Sequence, residues 1–479
     1  MTIRCSTPDA YNLFHQGSLV FAEIENNGIR IDVDYLDDAI EKIGQRITVL
    51  QGELQQDEVY KVWSNRYGAK TTLGSREQLA QVIFGDLKYP YEGDLTPTGR
   101  FKTDEDVLSR VNCPFLVKYL KLEKLKKDRT PYLTGIRREV VDGYLHPFFN
   151  LAGGGGEGGG GGAKSYRSSS SGPNFQNYPK RDPIRGKVTR RCFIPRHGNL
   201  FIEVDFKGAE VTTALAYHGD PVMKEYLLNP KKDMHWDVAV ECFCLEGLEL
   251  TKTEKKDLRY AGKNQFVFPQ FYGSVYFQCA PNLWETASKA SLGDIKVIEH
   301  LQKKGMRELG KCDPKGKPRK GTYEYHIKTI EEDFWGKRFK VYAEWKRKWY
   351  NEYLKKGGFS FLTGFYVEGE FAKNQVINMP IQGAAFHCLL WSLIQLQRWI
   401  TKNKKQVKIV GQIHDSMLLD CPLEEVEEVV AVVREITTQR LSQEWTWLIV
   451  PLQVEIEIGE QNWFDQVPYD EWLEQRKVA

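Results

Sequence analysis

The 479-residue sequence has no run of about 18 apolar residues, and its first nine residues contain no apolar stretch of the kind found in export signals. We therefore expect neither export nor membrane insertion, and predict a soluble, cytoplasmic protein. Its nine cysteines are an odd number and include no Cys-x-x-Cys pair, while the Cys-Phe-Cys at 242–244 lacks zinc-site spacing. The cysteines are predicted to be reduced core residues.

An excess of charge of either sign is also missing, since the formal net charge is only +3. A small total does not exclude a polyanionic partner, because nucleic-acid binders concentrate their charge locally. Residues 121–127 (Lys-Leu-Glu-Lys-Leu-Lys-Lys) are helical by composition, and their lysines either contact phosphates or face solvent. Residues 280–330 are lysine-rich and are interpreted as a loop, either contacting nucleic acid or, as we prefer, merely solvated.

Asp205 and Asp415 each end a segment with the pattern of a buried strand. Apolar residues alternate through 201–206, and again through 407–413, where Gly411-Gln412 is interpreted as a hairpin signal. An aspartate at a strand end is usually a turn former. Two such carboxylates brought together can instead hold divalent cations, and the residues between them favour that interpretation.

A basic stretch at 255–265 lies between the two aspartates in sequence. Arg259 and Lys263 are four residues apart, so in a helix they share one face. A row of cations opposite metal-binding carboxylates suits a triphosphate, because phosphoryl transfer depends on positioning and on neutralising charge. The aromatic run at 266–272 that follows suits a base stacked beside its phosphates, whereas the alternative is a solvated helix face.

Ordered motifs along the chain resemble those of family A DNA polymerases related to bacterial DNA polymerase I. Asp205 and Glu210 resemble the first catalytic motif, residues 259–273 the nucleotide-binding fingers helix, and Gln-Ile-His-Asp-Ser at 412–416 the third motif. The resemblance extends from about residue 18 to the end. Residues 96–103 resemble part of the family's thumb, and residues 167–181 resemble its segment that follows the minor groove of the primer-template. Residues 378–383 resemble the segment beside the templating base, and residues 454–460 resemble the last palm strand.

The resemblance implies an α/β (α+β) fold of right-hand form, with an antiparallel palm sheet, a helical thumb and helical fingers. A chain of this length also suggests three domain-sized units. The expected divisions are an N-terminal segment at 1–36, the thumb at 37–150, a Gly-rich linker at 151–166, the first palm part at 167–235, the fingers with a basic insertion at 236–350, and the second palm part at 351–479. The Gly-rich tract at 153–163 is predicted to be flexible coil, either natural or engineered.

The resemblance also implies the site. Asp205, Asp415 and the main-chain carbonyl of Phe206 would bind two Mg²⁺ ions, which Mn²⁺ could replace. Lys263 would be the general acid to the leaving pyrophosphate. The nucleotide would contact His235, Arg259, Lys263, Phe268, Tyr272 and Glu210, and the primer-template DNA would contact Arg167, Gln176, Asn177, Arg181, Asn378, Gln382, Gln412 and His414.

The implied activity is template-directed addition of dNTPs to a DNA primer by a monomer, with accessory replication proteins as further candidate partners. Only about 20 residues precede the segment that leads into the thumb here, so we expect no proofreading exonuclease. Two alternatives stay open. A related RNA polymerase or reverse transcriptase is disfavoured by Glu210, whose bulk suits exclusion of a 2′-hydroxyl, and a noncatalytic primer-template binding module is disfavoured by the intact Asp205, Asp415 and Lys263.

Three departures from the family pattern are present. Lys207 and Gly208 occupy the middle of the first motif, and Ser416 follows the catalytic aspartate where glutamate is common. The interval from Lys263 to Tyr272 is one residue longer than usual, which would rotate the following helix by about 100°. We predict a one-residue bulge that returns Phe268, rather than Val267, to the nucleotide face.

Overall fold

The computed structural model describes residues 4–5, 7–91, 93, 95–96, 98–151, 165–180 and 183–478. Helices dominate it, and an antiparallel sheet occupies one region, which confirms the predicted mixed fold class. The Gly-rich tract at 153–163 and Arg181, predicted to contact the primer, lie outside the described residues.

The N-terminal and thumb regions are almost entirely helical. Helix α2 shows why: the Asp32 side chain caps its first turn by accepting from the Tyr35 N–H, and apolar residues recur on one face. The elements are β1 (Arg4–Cys5), α1 (Pro8–Asn27), β2 (Ile29–Arg30), α2 (Val33–Gln55), α3 (Glu58–Tyr67), α4 (Arg76–Ala80), α5 (Glu105–Arg110), α6 (Pro114–Lys127) and α7 (Gly135–Glu139), with π-helical turns at Gln81–Asp86 and Asp128–Thr134.

The chain then builds half of the central sheet and the fingers. The elements are β3 (Tyr144–Leu145), β4 (Phe148–Asn150), β5 (Ser169–Ser171), α8 (Pro183–Arg190), β6 (Asn199–Lys207), α9 (Ala209–His218), α10 (Pro221–Leu228), α11 (Met234–Phe243), α12 (Lys252–Ala261), α13 (Phe268–Phe271), α14 (Tyr276–Lys289), β7 (Ser291–Leu292), β8 (Ile295–Lys296), α15 (Val297–Lys303), α16 (Tyr323–Asp333) and α17 (Lys340–Lys356). A π-helical segment at Gly262–Val267 joins α12 to α13.

The remaining residues complete the sheet and cover it. They form β9 (Gly358–Ser360), β10 (Phe365–Glu368), α18 (Lys373–Asn403), β11 (Lys408–Ile413), β12 (Ser416–Pro422), α19 (Val426–Arg434), α20 (Leu441–Glu444), β13 (Gln453–Gly459), β14 (Val467–Pro468) and α21 (Tyr469–Val478). The described strands of the main sheet run antiparallel in the order β11-β12-β6-β13-β14. Strand β6 is therefore central, and its side chains are buried from Leu200 to Val204.

The predicted hairpin at Gly411-Gln412 is wrong. Strand β11 continues through both residues, and the turn to β12 falls at His414 and Asp415, where His414 has a φ of +50°. Gly411 serves close packing instead, because a Cβ there would lie 2.6 Å from the Phe175 ring, and the strand register shifts beside it. The displaced turn puts Asp415 at the tip of the hairpin.

The buried hydrophobic side chains of the described residues form three clusters. One surrounds the sheet, α1 and α18 and includes the base of the thumb, the second lies in the fingers, and the third lies in the thumb between α2 and α6. The helices α2 and α6 thus enclose a cluster separate from the one around the sheet, which itself takes in residues at the base of the thumb. Residues 280–330, predicted as a loop, instead form helices and a hairpin over much of their length, because Leu283, Leu301 and Tyr323 are buried in the fingers cluster.

Helix α18 is the one helix in the described part of the chain that is long and apolar enough to cross a membrane by length and composition. Its most apolar window is 89% buried inside the fold, where the helix packs against α1, α9 and α17. That burial is typical of a core helix.

Candidate active site

The two aspartates predicted as metal ligands lie side by side at the end of adjacent strands. Asp205 on β6 pairs with Ser416 on β12, the residue after Asp415, and the Phe206 N–H donates to the Asp415 main-chain oxygen at 3.1 Å. Burial raises the pKa of Asp205 to about 6, and Lys180 acts in the opposite direction. Burial also raises the pKa of Asp415, against the effect of Arg167. The fold therefore holds two carboxylates where their charge is disfavoured without a cation.

The side chain of Arg167 joins the aspartate pair to Glu210. Its guanidinium donates to Glu210 Oε1 and to Asp415 Oδ1, both at 3.2 Å. The Tyr272 hydroxyl, at the end of α13 in the fingers, donates to the other oxygen of Glu210. A carboxylate of the palm thus bonds to a side chain of the fingers, and burial raises the pKa of Glu210.

The chemistry of this pair fits Mg²⁺. Hard cations prefer carboxylate and carbonyl oxygens, and Asp205 and Asp415 supply the former. No group of three or more His, Cys, Asp or Glu residues suited to a metal occurs within the described ranges, so the two aspartates are the ligand set to be considered. The Arg167 guanidinium beside Asp415 already shows that this position attracts a cation.

Four of the predicted nucleotide-binding side chains lie together in the fingers: His235, Arg259, Lys263 and Phe268. The π-helical segment at Gly262–Val267 contains the extra residue, which confirms the predicted bulge. As a result Val267 is fully buried, while Phe268 is half-buried beneath Lys263, whose Nζ is 5.1 Å from the ring centroid. The His235 ring packs edge-on against Phe268 at 5.7 Å.

A carboxylate that the sequence pattern missed organises this surface. Asp233 caps α11 by accepting from the His235 N–H at 3.1 Å, and it accepts from Arg259 Nε at 2.5 Å. Burial lowers the pKa of His235 to about 4, and the cations Arg259 and Lys263 lower it further. The Nδ1 atom of His235 is buried with no hydrogen-bond partner among the described residues. The neutral imidazole is thereby left with an unused polar atom near the cations Arg259 and Lys263.

The predicted primer-template residues divide into two groups. Gln176 and Gln412 bond to each other at 2.7 Å and share the hydroxyl of Ser168, a residue that the sequence did not single out from four adjacent serines. Gln412 also donates to the main-chain oxygen of His414 at 2.8 Å, beside Asp415. This polar cluster connects residues 167–181, the segment predicted to follow the minor groove, to the hairpin that carries Asp415.

The second group lies near Tyr272 and along the thumb. Asn378 Nδ2 donates to the Tyr272 main-chain oxygen at 3.4 Å, and Gln382 is near enough to the Tyr272 hydroxyl to affect its pKa. Gly273 has a φ of +93°, and a Cβ there would lie 2.2 Å from Asn374. Asn177 lines a cavity of about 480 Å³ between the thumb and the palm, together with Lys127, Pro131, Tyr132, Asn174 and Tyr178.

Comparison with known proteins agrees with this geometry. The model of DNA polymerase family A matches residues 36–294 and 359–465, so the chain belongs to that family. DNA polymerase I of Lactococcus lactis subsp. cremoris is 26% identical over 453 residues, covering 93% of this chain and 44% of that protein. The thermostable DNA polymerase I of Thermus thermophilus is 26% identical over 458 residues, covering 92% of this chain and 46% of that protein.

The chain thus spans less than half the length of these relatives. Among solved structures, the POL domain of Pol1 from M. smegmatis, in complex with DNA primer-template and dNTP, has the same fold. Its TM-score is 0.70 and its sequence identity 22%, with 93% of this chain and 69% of that chain covered.

Proposed function

We propose that this chain is a DNA-directed DNA polymerase that adds dNTPs to the 3′-hydroxyl of a primer annealed to a DNA template. The observation that carries the proposal is the meeting of Asp205 and Asp415 on adjacent strands of the central sheet. Family membership and the fold shared with a polymerase domain that binds primer-template and dNTP support it. We propose that it acts as a monomer in the compartment that holds the DNA.

The residues take distinct parts in the proposed reaction. Asp205, Asp415 and the Phe206 carbonyl would hold two Mg²⁺ ions, or Mn²⁺ in their place, which when bound lower the pKa of the primer hydroxyl and neutralise charge on the triphosphate. Arg259 and Lys263 bind the triphosphate, and Lys263 donates a proton to the leaving pyrophosphate. Phe268 supports the sugar and base of the incoming nucleotide.

Primer-template DNA is held mainly by the palm and thumb in this proposal. Arg167, Gln176 and Asn177 contact the minor-groove edge of the new duplex, where acceptors common to all base pairs allow geometry to be checked. Glu210 excludes the ribose 2′-hydroxyl. Asn378, Gln382 and the Tyr272 ring contact the template side, while Gln412 and His414 contact the primer terminus.

The test is a pair of aspartate variants. Asp205→Ala and Asp415→Ala should each lower the rate of single-nucleotide addition by several orders of magnitude, with primer-template affinity nearly intact, because the thumb supplies the phosphate contacts. Rapid-quench extension and a binding titration measure the two quantities. Asp294→Ala, at an exposed turn in the fingers, is the matched control and should extend normally. Turnover retained in either active-site variant would remove the metal assignment.

The alternatives separate in the same assay. Extension by dNTPs on DNA templates, with rNTPs rejected, supports the proposal. Preferential use of rNTPs indicates an RNA polymerase, and efficient copying of RNA templates indicates a reverse transcriptase. Binding without extension under any of these conditions identifies a noncatalytic module.

A further inference from the structure

An exposed basic segment at residues 303–320 lies in the part of the fingers that the family model does not match, residues 295–358. It contains eight lysines and arginines and two acidic residues, a net of +6 against +3 for the whole chain. The remainder of the chain is therefore net negative. A protein that binds a polyanion with such a total charge concentrates its cations locally.

The cations of the basic segment are available to a ligand. All eight are exposed: Lys303, Lys304, Arg307, Lys311, Lys315, Lys317, Arg319 and Lys320. Among the ion pairs found within the described ranges, only Arg319 of these eight takes part, with Glu308. Charge spread over exposed lysines without carboxylate partners favours contact with phosphates over a role in holding the fold together.

The basic segment is anchored at both ends. The Tyr323 N–H donates to the Glu308 oxygen at 2.8 Å, and the Glu324 N–H donates to the Leu309 oxygen at 2.7 Å. Gly310 follows these two backbone bonds. It has a φ of +105°, and a Cβ there would lie 2.6 Å from the Glu324 carboxylate, so the chain can turn at this position only with glycine. Residues 311–320 thus project from a fixed base.

That base lies next to the end of the fingers helix. Helix α14 begins at Tyr276, three residues after Gly273, and Trp284 on the same helix packs against Tyr323 with ring centroids 5.1 Å apart. Burial raises the pKa of Tyr276, and Glu324 and, from the basic segment, Cys312 raise it further. Tyr276 and Phe277 are half-buried and lie edge to face at 5.5 Å. Two aromatic residues therefore follow Gly273 closely in the chain, and Tyr276 lies near enough to Cys312 for that residue to affect its pKa.

We infer that the basic segment binds the single-stranded DNA template ahead of the templating base, with its lysines on successive phosphates. Cations combined with aromatic rings are the usual means of binding single strands without sequence preference, because every base has a face that can stack. This inference rests on the proposed function, since Tyr272 and Gly273 mark the template side only if the chain is a polymerase. It deepens that function by giving the unmatched part of the fingers a ligand.

The test uses a four-lysine variant and two DNA substrates. The variant carries Lys311→Gln, Lys315→Gln, Lys317→Gln and Lys320→Gln, and the two primer-templates differ only in the 5′ template overhang, of about 12 nucleotides or of a single nucleotide. On the long overhang, we expect affinity to fall about tenfold, and the slope of log affinity against log salt to drop by roughly 2 to 3. On the short overhang, both quantities should match the unsubstituted chain.

A matched control separates local from general charge. The double variant Lys315→Gln/Lys317→Gln is compared with the double variant Lys402→Gln/Lys404→Gln. Lys402 and Lys404 are exposed at the end of α18, roughly 40 Å along the helix from its start near Gly273. Only the first pair should weaken binding to the long overhang.

Two outcomes would overturn the inference: equal loss on both overhangs, which indicates a contact with duplex, and no loss on either, which indicates a solvated surface. Nucleotide addition by the unsubstituted chain on the single-nucleotide overhang reports the proposed function separately. If that addition fails while the overhang difference persists, the segment binds single strands in a protein that is not a polymerase.

Discussion

At the scale of single residues, the active site consists of charges that the fold accommodates poorly. Asp205 illustrates this, because burial raises its pKa to about 6 from 3.8. A carboxyl group with a raised folded pKa stabilises the protein while protonated. That contribution is fully present below about pH 4 and is lost as the pH rises through 6. At neutral pH the ionised Asp205 therefore costs stability, which a bound cation would offset.

We predict that Asp205→Asn stabilises the protein without divalent metal at pH 7.5, by about 1–3 kcal/mol, and much less at pH 4. Denaturant unfolding at both pH values measures this. Added Mg²⁺ should shrink the difference by stabilising only the unsubstituted chain. The control is Asp420→Asn. Asp420 is buried and accepts a hydrogen bond from Arg196 Nη1 at 2.8 Å, so this substitution should destabilise the protein. A loss of stability in Asp205→Asn at pH 7.5 would contradict the assignment.

Glu210 carries the second prediction at this scale. Glu210→Ala should lower the ratio of kcat/KM for dNTP over rNTP by about 10- to 200-fold, because the side chain no longer occupies the space of the 2′-hydroxyl. Tyr272→Phe is the control, since it removes the hydroxyl that donates to Glu210 and keeps the carboxylate. An unchanged ratio in Glu210→Ala, or an equal fall in Tyr272→Phe, would show that the bulk of Glu210 does not select the sugar.

At the scale of elements, the fingers helix shows how an extra residue is absorbed. The π-helical segment at Gly262–Val267 lets Lys263 and Phe268 share one surface despite the longer interval. Gly262 is required there, because a Cβ would lie 2.7 Å from the His235 main-chain oxygen. The bulge directs Phe266 and Val267 into the core, where both are fully buried.

This arrangement predicts opposite outcomes for neighbouring substitutions. Phe268→Tyr should raise the use of dideoxynucleotides with dNTP use nearly unchanged, because the added hydroxyl can replace the missing 3′-OH. Val267→Tyr should instead destabilise the fold by about 1–3 kcal/mol or more through overpacking, with terminator selectivity retained. Competition between ddNTPs and dNTPs, together with thermal unfolding, distinguishes them. Relaxed selectivity in Val267→Tyr or Phe266→Tyr would place the nucleotide face one or two residues earlier.

At the scale of the whole molecule, the described residues form three separate hydrophobic cores. The thumb cluster includes Trp63 and Leu122 and is distinct from the clusters around the sheet and in the fingers. A core of this kind allows a unit to open locally while the rest stays folded. The proposed duplex contacts of the thumb therefore depend on a part of the molecule that carries no reacting group.

Leu122→Ala tests this division. It should cost about 2–5 kcal/mol in the thumb, since Leu122 is fully buried, and amide exchange should rise in α2 and α6 but not in the sheet. Primer-template affinity should fall while single-nucleotide addition at saturating DNA is preserved. An equal rise of exchange in β6 and β12 would mean that thumb and palm unfold as one unit.

From the sequence alone, the family resemblance predicted the fold class, while local patterns predicted strand ends at Asp205 and Asp415 and a cationic helix face. Strand periodicity ends at Asp205, helical spacing aligns Arg259 with Lys263, and the extra residue before Tyr272 required a bulge. The strand ends, the helical spacing and the bulge each depend on residues close together in the chain, whereas the pairing of Asp205 with Asp415 does not.

Only the tertiary structure decided the rest. Gly411 packs closely against Phe175, which lies far away in sequence, and the ion pair of Arg259 with Asp233 forms where two helices meet. The same holds for residues 280–330, whose lysine content suggested a loop. Their sparse apolar side chains are buried by helices from elsewhere in the fingers, and no local pattern specifies which distant surface will cover a side chain.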